Sequence, residues 1–161
     1  MITACAIHVS DEEELARFVL TDSWLYKDNR PGCKVRWTAL IPSPHKELSV
    51  YRIEGWTQED VKTVGQNVAD DREKNHRQKE IAKGNNYPSD KRTFRHLGHA
   101  ALKAKSFRWV ELDISWDEPP PGHSNVIGWP PSVGNRKADE AAQMAKALKL
   151  LEMNLVTYAA A

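Results

Sequence analysis

Val35-Arg36-Trp37-Thr38-Ala39-Leu40-Ile41, Pro42-Ser43-Pro44-His45-Lys46 and Glu47-Leu48-Ser49-Val50-Tyr51-Arg52-Ile53 follow one another without a gap, and together they set the fold class. In the first run Val35, Trp37, Ala39 and Ile41 alternate with Arg36 and Thr38, the two-residue period of a half-buried strand. The third run carries the strand-forming residues of a second strand. The prolines between them break the chain and predict a wide hairpin loop. Strands and helices do not alternate regularly along the rest of the chain. The expectation is therefore a single α+β domain over 1–158, an antiparallel or mixed sheet of four to five strands with packed helices.

Toward the N-terminus, Ile2–Val9 reads as a first strand. Ser10 with Asp11, Glu12 and Glu13 reads as a helix start, with Leu15, Phe18 and Val19 as the apolar face of that helix. Asn29-Arg30-Pro31-Gly32 reads as a turn. Toward the C-terminus, Thr57 caps a helix whose apolar face is Val61, Val64 and Val68. That face vanishes after Ala69, because Asp70–Glu80 holds no apolar residue. The polar segment at about 70–92 is expected to leave the core as an excursion. Gly84–Pro88 forms a loop, and Ser89 or Asp90 caps a short helix with Phe94, Leu97, Ala101 and Leu102. Phe107–Ile114 reads as a strand, and Asn125–Trp129 as a shorter one. Asn135 caps the strongest helix, from Arg136 to about Asn154, with Ala141, Met144, Ala145, Leu148 and Leu151 facing the core. Ala159–Ala161 is given no role.

The composition excludes several classes. The chain has 161 residues, 40% hydrophobic and 28% charged, with a net charge of +1. It is neither a polycation nor low-complexity. No run approaches the roughly 20 apolar residues of a membrane span. Cys5 and Cys33 belong to no CxxC pattern, so they form neither a zinc site nor a disulfide scaffold. Asp11–Glu14 follows the first residues where a secretory signal would need an apolar run, so a cytoplasmic location with reduced thiols is expected.

The charge is unevenly spread. Residues 72–108 hold eleven basic side chains: Arg72, Lys74, Arg77, Lys79, Lys83, Lys91, Arg92, Arg95, Lys103, Lys105 and Arg108. Only Glu73, Glu80 and Asp90 oppose them there, so the flanks are acidic. Tyr87, Phe94, Phe107 and Trp109 lie among or beside them. Local positive density attracts phosphate, and aromatic rings can stack on unpaired bases. The partner this suggests is RNA or single-stranded DNA. The plainer reading is a solvated segment that pairs with the chain's own acids or docks on an acidic protein partner.

Groups that could do chemistry fall in two places. His96 and His99 would share a helix face. Glu111 and Asp113 would share a strand face, where two carboxylates can hold a divalent cation, with His123 nearby as a general acid or base. No HExxH, GxSxG, GxGxxG or Walker loop occurs, so no cofactor is named by a motif. The plainer reading is the wet face of an outer strand for Glu111 and Asp113, surface or partly buried polar contacts for His96 and His99, and a loop hydrogen bond that fixes the Pro-rich turn for His123. Trp116 and Trp129 bracket a Pro-rich loop that would suit a protein partner, or would simply close a core edge.

The LSV-x-R of Leu48–Arg52 and the H-x-N-hydrophobic-x-G-W-P of His123–Pro130, followed by a Lys- and Ala-rich helix, resemble a group of small uncharacterised bacterial proteins. The likeness covers about residues 34–150, with 70–105 poorly matched. It implies a bacterial or phage-associated origin and brings no activity with it. It draws attention to Arg36, Arg52, His123, Asn125 and Trp129 as ligand or partner contacts. Arg52, on an apolar strand, needs a partner or an anionic ligand.

Three functions remain open. The first is a non-enzymatic binding or accessory module, contacting nucleic acid or an acidic protein through 72–108, as a subunit of a larger complex. The second is a small metal- or His-dependent enzyme acting on a phosphodiester or nucleotide. The third is an adaptor using the Trp- and Pro-rich loop 116–131.

Overall fold

The computed structural model describes residues 6–28, 32–42 and 47–161. Among the described residues six strands form one antiparallel sheet: β1 (Glu14–Val19), β2 (Leu48–Arg52), β3 (Gly98–Lys103), β4 (Asp113–Trp116), β5 (His123–Ile127) and β6 (Thr157–Ala160). Their order is β4-β5-β2-β1-β3-β6. Three helices accompany them: α1 (Gln58–Ala82), α2 (Ala104–Trp109) and α3 (Arg136–Glu152). The class is α+β as expected, with six strands rather than four or five. No described helix is long and apolar enough to cross a membrane.

Both faces of the sheet are covered. On one, Leu15, Val19, Leu48, Val50, Leu102 and Val126 pack with Phe107 of α2 and with Ala147 and Leu150 of α3. On the other, Phe18, Leu20 and Tyr51 pack against Ala69, Val61, Val64 and Val68 of α1.

This two-sided burial corrects several expectations. Leu15–Leu20 is a central strand and the residue after it, not a helix, because its apolar side chains serve both cores. Val35–Ile41 is not a strand. Val35 makes one isolated bridge to Leu25, and Trp37–Leu40 then forms a 3-10 turn that buries Ala39 and Leu40. Residues 98–103 are β3 rather than helix. Phe107 lies in α2, and strand structure resumes only at Asp113. The buried residues of α3 are Ala147 and Leu150, one step round from the expected stripe, of which Leu151 packs partly buried against the core. Ala159 and Ala160 belong to β6 and pair with His99 and Gly98 of β3. Residues 6–9 are not in a strand, while the rest of the expected first strand, Cys5, most of the 29–32 turn and the loop at 43–46 lie outside the described residues.

The polar 70–92 segment forms the second half of α1 and the chain returning from it, mostly exposed, with Glu73 and Tyr87 buried. Helix α1 starts with a reciprocal capping box, in which Thr57 Oγ1 accepts from the Asp60 amide and Asp60 accepts from the Thr57 amide. It runs unbroken through the polar stretch because Glu73, 5% exposed, ties it to the returning chain. The Glu73 carboxylate accepts from Tyr87 Oη at 2.5 Å, from the Thr93 amide at 3.0 Å and from the Phe94 amide at 2.8 Å. Burial works to raise this carboxyl, but those donors outweigh it and hold it below its ordinary value.

Candidate anion cleft

Arg72, Asn75, His76 and Lys79 recur at helical spacing on α1, so they share one face. With Arg17, Glu47, Ser49 and Phe94 they line a cleft of about 380 Å³ between α1 and the sheet. Arg17 reaches it from β1. The β1–β2 register covers only Leu15↔Arg52 and Ala16↔Tyr51. Past that point Arg17 bridges the strands, donating from Nε to the Ala39 carbonyl at 3.0 Å and from Nη1 to the Ser49 carbonyl at 3.2 Å.

Aromatic rings hold both guanidiniums in place. Arg17 lies 4.8 Å from the Trp24 ring centroid, and Arg72 lies 5.5 Å from Trp24 and 4.7 Å from Phe94. Neither has a carboxylate within ion-pair distance among the described residues, although Glu47 lines the same cleft. Burial, with Arg72 as the second cause, pushes the Arg17 guanidinium down to about 9. Burial also lowers Arg72. Both remain cationic at neutral pH, so the cleft holds two neighbouring positive charges, neither ion-paired among the described residues, against the one carboxylate of Glu47 on its lining.

The other basic candidates divide sharply. Lys103 and Lys105 each bond Glu12 at 2.7 Å. Arg92 bonds Asp70 at 2.5 Å, and Lys83 lies 3.8 Å from Glu80. Arg77 donates to the carbonyls of Tyr87, Pro88 and Lys91. Arg108 pairs with Asp11 and Asp113. That last cluster lines a second cleft of about 480 Å³, larger but already neutralised. Lys74, Lys79 and Arg95 have no ion-pair partner among the described residues, and Lys91 sits 5.0 Å over Tyr87. Free positive charge therefore gathers around α1 and the loop after it, rather than along the whole 72–108 stretch.

The five catalytic candidates do not converge as a set. His96 precedes β3 and His99 lies in it, and both rings meet Phe18 edge-on, at 5.5 and 6.4 Å. Burial lowers the pKa of each. His96 packs directly under Gly65, where a Cβ on the helix would come within 2.5 Å of its Nε2. Glu111 is in a turn with φ of 64°, off any strand, while Asp113 is held by Arg108. No group of three His, Cys, Asp or Glu side chains among the described residues could hold a metal.

His123 takes different company. Its Nδ1 lies 2.9 Å from the Asp117 carbonyl oxygen and 3.2 Å from Asp117 Oδ2, and its Nε2 lies 3.2 Å from Ser49 Oγ. Asn125 donates to Asp117 Oδ2 at 3.0 Å. Gly122, at φ of 81°, places His123. A side chain there would strike Trp56 at 2.7 Å, and the Gly122 carbonyl accepts from the Arg52 amide.

The remaining candidates are structural contacts. Arg52, 4% exposed, is paired with Glu13 and also donates to the carbonyls of Ala6 and His8. The partner expected for it is internal. Arg36 donates to the Ser23 carbonyl, and Trp129 donates to the Val126 carbonyl.

Arg17, Ser49, His76 and Asp117 were not singled out by the sequence. Only the sheet register brings Arg17 and Ser49 to α1. No family model matches the chain, and neither does any curated protein or solved structure.

Proposed function

We propose that this protein is a binding module for single-stranded nucleic acid, gripping backbone phosphate in the cleft between α1 and β2. The observation that carries this reading is the pair Arg17 and Arg72, two half-buried guanidiniums that share one cleft and make no ion pair among the described residues, with Glu47 the one acid on its lining. An incoming phosphate removes the repulsion between them and accepts directional hydrogen bonds that a chloride cannot. The rings of Trp24 and Phe94 already stack on the guanidiniums, so the cleft itself does not depend on base stacking. The contact is to the backbone and is indifferent to sequence. Lys79 adds a further cation to the lining of the cleft. Of the enzymatic alternatives, the one built on Glu111 and Asp113 loses its support, because Asp113 is committed to Arg108 and Glu111 lies in a turn, off any strand.

A salt titration tests the reading. Binding of a labelled single-stranded oligonucleotide should weaken as salt rises, with a log–log slope of about −0.7 per phosphate neutralised. Arg72→Ala with Lys79→Ala should weaken binding about tenfold or more and flatten the slope by one to two phosphate equivalents. Lys103→Ala with Lys105→Ala, whose ammonium groups already serve Glu12, should change little. If the two double variants behave alike, or the oligonucleotide does not bind at low salt while an acidic protein does, the cleft is not a nucleic-acid site.

A further inference from the structure

We infer that Ser49 is a nucleophile and that the cleft breaks the phosphodiester it holds. The inference rests on the phosphate reading of the cleft and adds a reaction to it.

The three side chains concerned come from different parts of the sheet. Ser49 lies on β2, opposite Asn125 of β5, and Tyr51 lies opposite His123. On β2, Ser49 and Tyr51 face the α1 side while Leu48 and Val50 face the main core. The Ser49 side chain thus lines the cleft that Arg17 and Arg72 enter. Asp117 follows β4 and reaches His123 from the other side.

The hydrogen bonds fix the tautomer. His123 Nδ1 faces two acceptors, the carbonyl and the carboxylate of Asp117. In the neutral ring the proton therefore sits on Nδ1, and the lone pair of Nε2 points at Ser49 Oγ, 3.2 Å away. The Ser49 hydroxyl donates to it. Asn125 holds the Asp117 carboxylate, and Tyr51 packs edge-on against the imidazole at 5.4 Å. A hydroxyl, a base and an orienting carboxylate in series are the parts nucleophilic catalysis needs.

The arginines choose the substrate. A developing five-coordinate phosphorus carries its charge on non-bridging oxygens, which guanidinium groups stabilise. Arg17 is fixed beside the nucleophile by its bond to the Ser49 carbonyl. In the first step Ser49 Oγ bonds to phosphorus while its proton passes to His123 Nε2. The bond to the leaving oxygen breaks, and that oxygen takes the proton from His123. In the second step water attacks the phosphoserine diester and gives its proton to His123, which returns one to Ser49 Oγ as the P–Oγ bond breaks. The sum is one phosphodiester and one water giving a phosphomonoester and an alcohol.

The test uses the full chain with bis(4-nitrophenyl) phosphate, following release of nitrophenolate. Wild type should turn over above the buffer rate, and Ser49→Ala and His123→Gln should each lose about 100-fold or more. Asp117→Asn should lower the rate and displace its pH profile, a change that loss of loop packing alone would not produce. Wild type treated with a fluorophosphonate should gain one adduct, mapped to Ser49 by mass spectrometry. This readout does not depend on how any variant folds. No turnover and no adduct, or full activity in Ser49→Ala, overturns the inference. Salt-dependent oligonucleotide binding without turnover would leave the binding reading standing alone. Turnover of the small ester without oligonucleotide binding would overturn the nucleic-acid reading instead.

Discussion

Glu13→Ala should destabilise the fold by about 3–5 kcal/mol, the cost of removing one partner from a buried ion pair. Glu13 is 8% exposed and Arg52 4%. Their contact is bidentate, Arg52 Nε to Oε1 at 2.5 Å and Nη2 to Oε2 at 2.9 Å. The other guanidinium donors go to the carbonyls of Ala6 and His8, so the same side chain fastens the segment before β1 onto β2. Losing the carboxylate leaves a buried cation without its counter-charge. A domain of ordinary stability, about 5–15 kcal/mol, would lose a large share of it. Urea denaturation followed by circular dichroism measures this as a fall in the midpoint at unchanged slope. The double substitution Glu13→Leu with Arg52→Met should recover much of the loss, because an apolar pair removes the desolvation problem instead of halving it. A single-variant loss below about 1 kcal/mol would place this pair among ordinary surface bridges.

Glu73→Gln should cost about 2–3 kcal/mol and remove part of the protein's sensitivity to acid. The carboxylate serves Tyr87 Oη and two backbone amides, while an amide side chain would aim a donor of its own at one of those donors. The pH dependence follows from the direction of the shift. Glu73 is held below its ordinary value in the folded state, so the unfolded chain takes up its proton first on acidification. The stabilisation is complete above the unfolded value of about 4.3 and drains away as pH falls through the lower folded value. Wild-type thermal midpoints should therefore fall more steeply below about pH 4.5 than those of the variant. Parallel pH profiles for the two proteins would rule this carboxylate out as an acid-labile tether.

The parts of this fold that were legible in the sequence are those with local causes. Thr57 and Asn135 cap the helices they were expected to cap. Residues 48–52 and 123–127 fall within or close to the expected strands. β1 was hidden because Ser10-Asp11-Glu12-Glu13 imitates a helix start and the apolar run after it shows no two-residue alternation. Alternation is lost wherever a strand has a core on each side. The Ala-rich β3 carries helix-forming residues, yet it lies between β1 and β6. Pairing with neighbours overrides propensity there.

The site divides along the same line. The basic excess was countable, but its cancellation was not. Nothing near Lys103 and Lys105 announces Glu12, and nothing near Arg108 announces Asp11. The contacts at His123 come from Ser49 and Asp117, which only the β2–β5 register and the loop after β4 bring to it. A list of titratable residues cannot supply that distance information.

The strand order also governs how quickly the native state can be reached. Only β4 and β5 are joined as near neighbours in sequence. β1 must meet β2 at Leu15↔Arg52 and β3 across the register from Glu14↔Lys103 to Val19↔Gly98. The central ladder thus forms only after a loop of about half the chain has closed, and the entropy of that closure is spent before any pairing repays it. Refolding after dilution from urea should take about milliseconds to seconds, in the manner of sheet-dominated topologies, and stopped-flow fluorescence of the six tryptophans would time it. A sub-millisecond phase carrying the full amplitude would mean that the helices, not the β1–β3 ladder, set the barrier. Until that ladder closes, Phe18 and Leu20 have no sheet to lie on, and the second half of α1 is held by its local tether from Glu73 to Tyr87, Thr93 and Phe94.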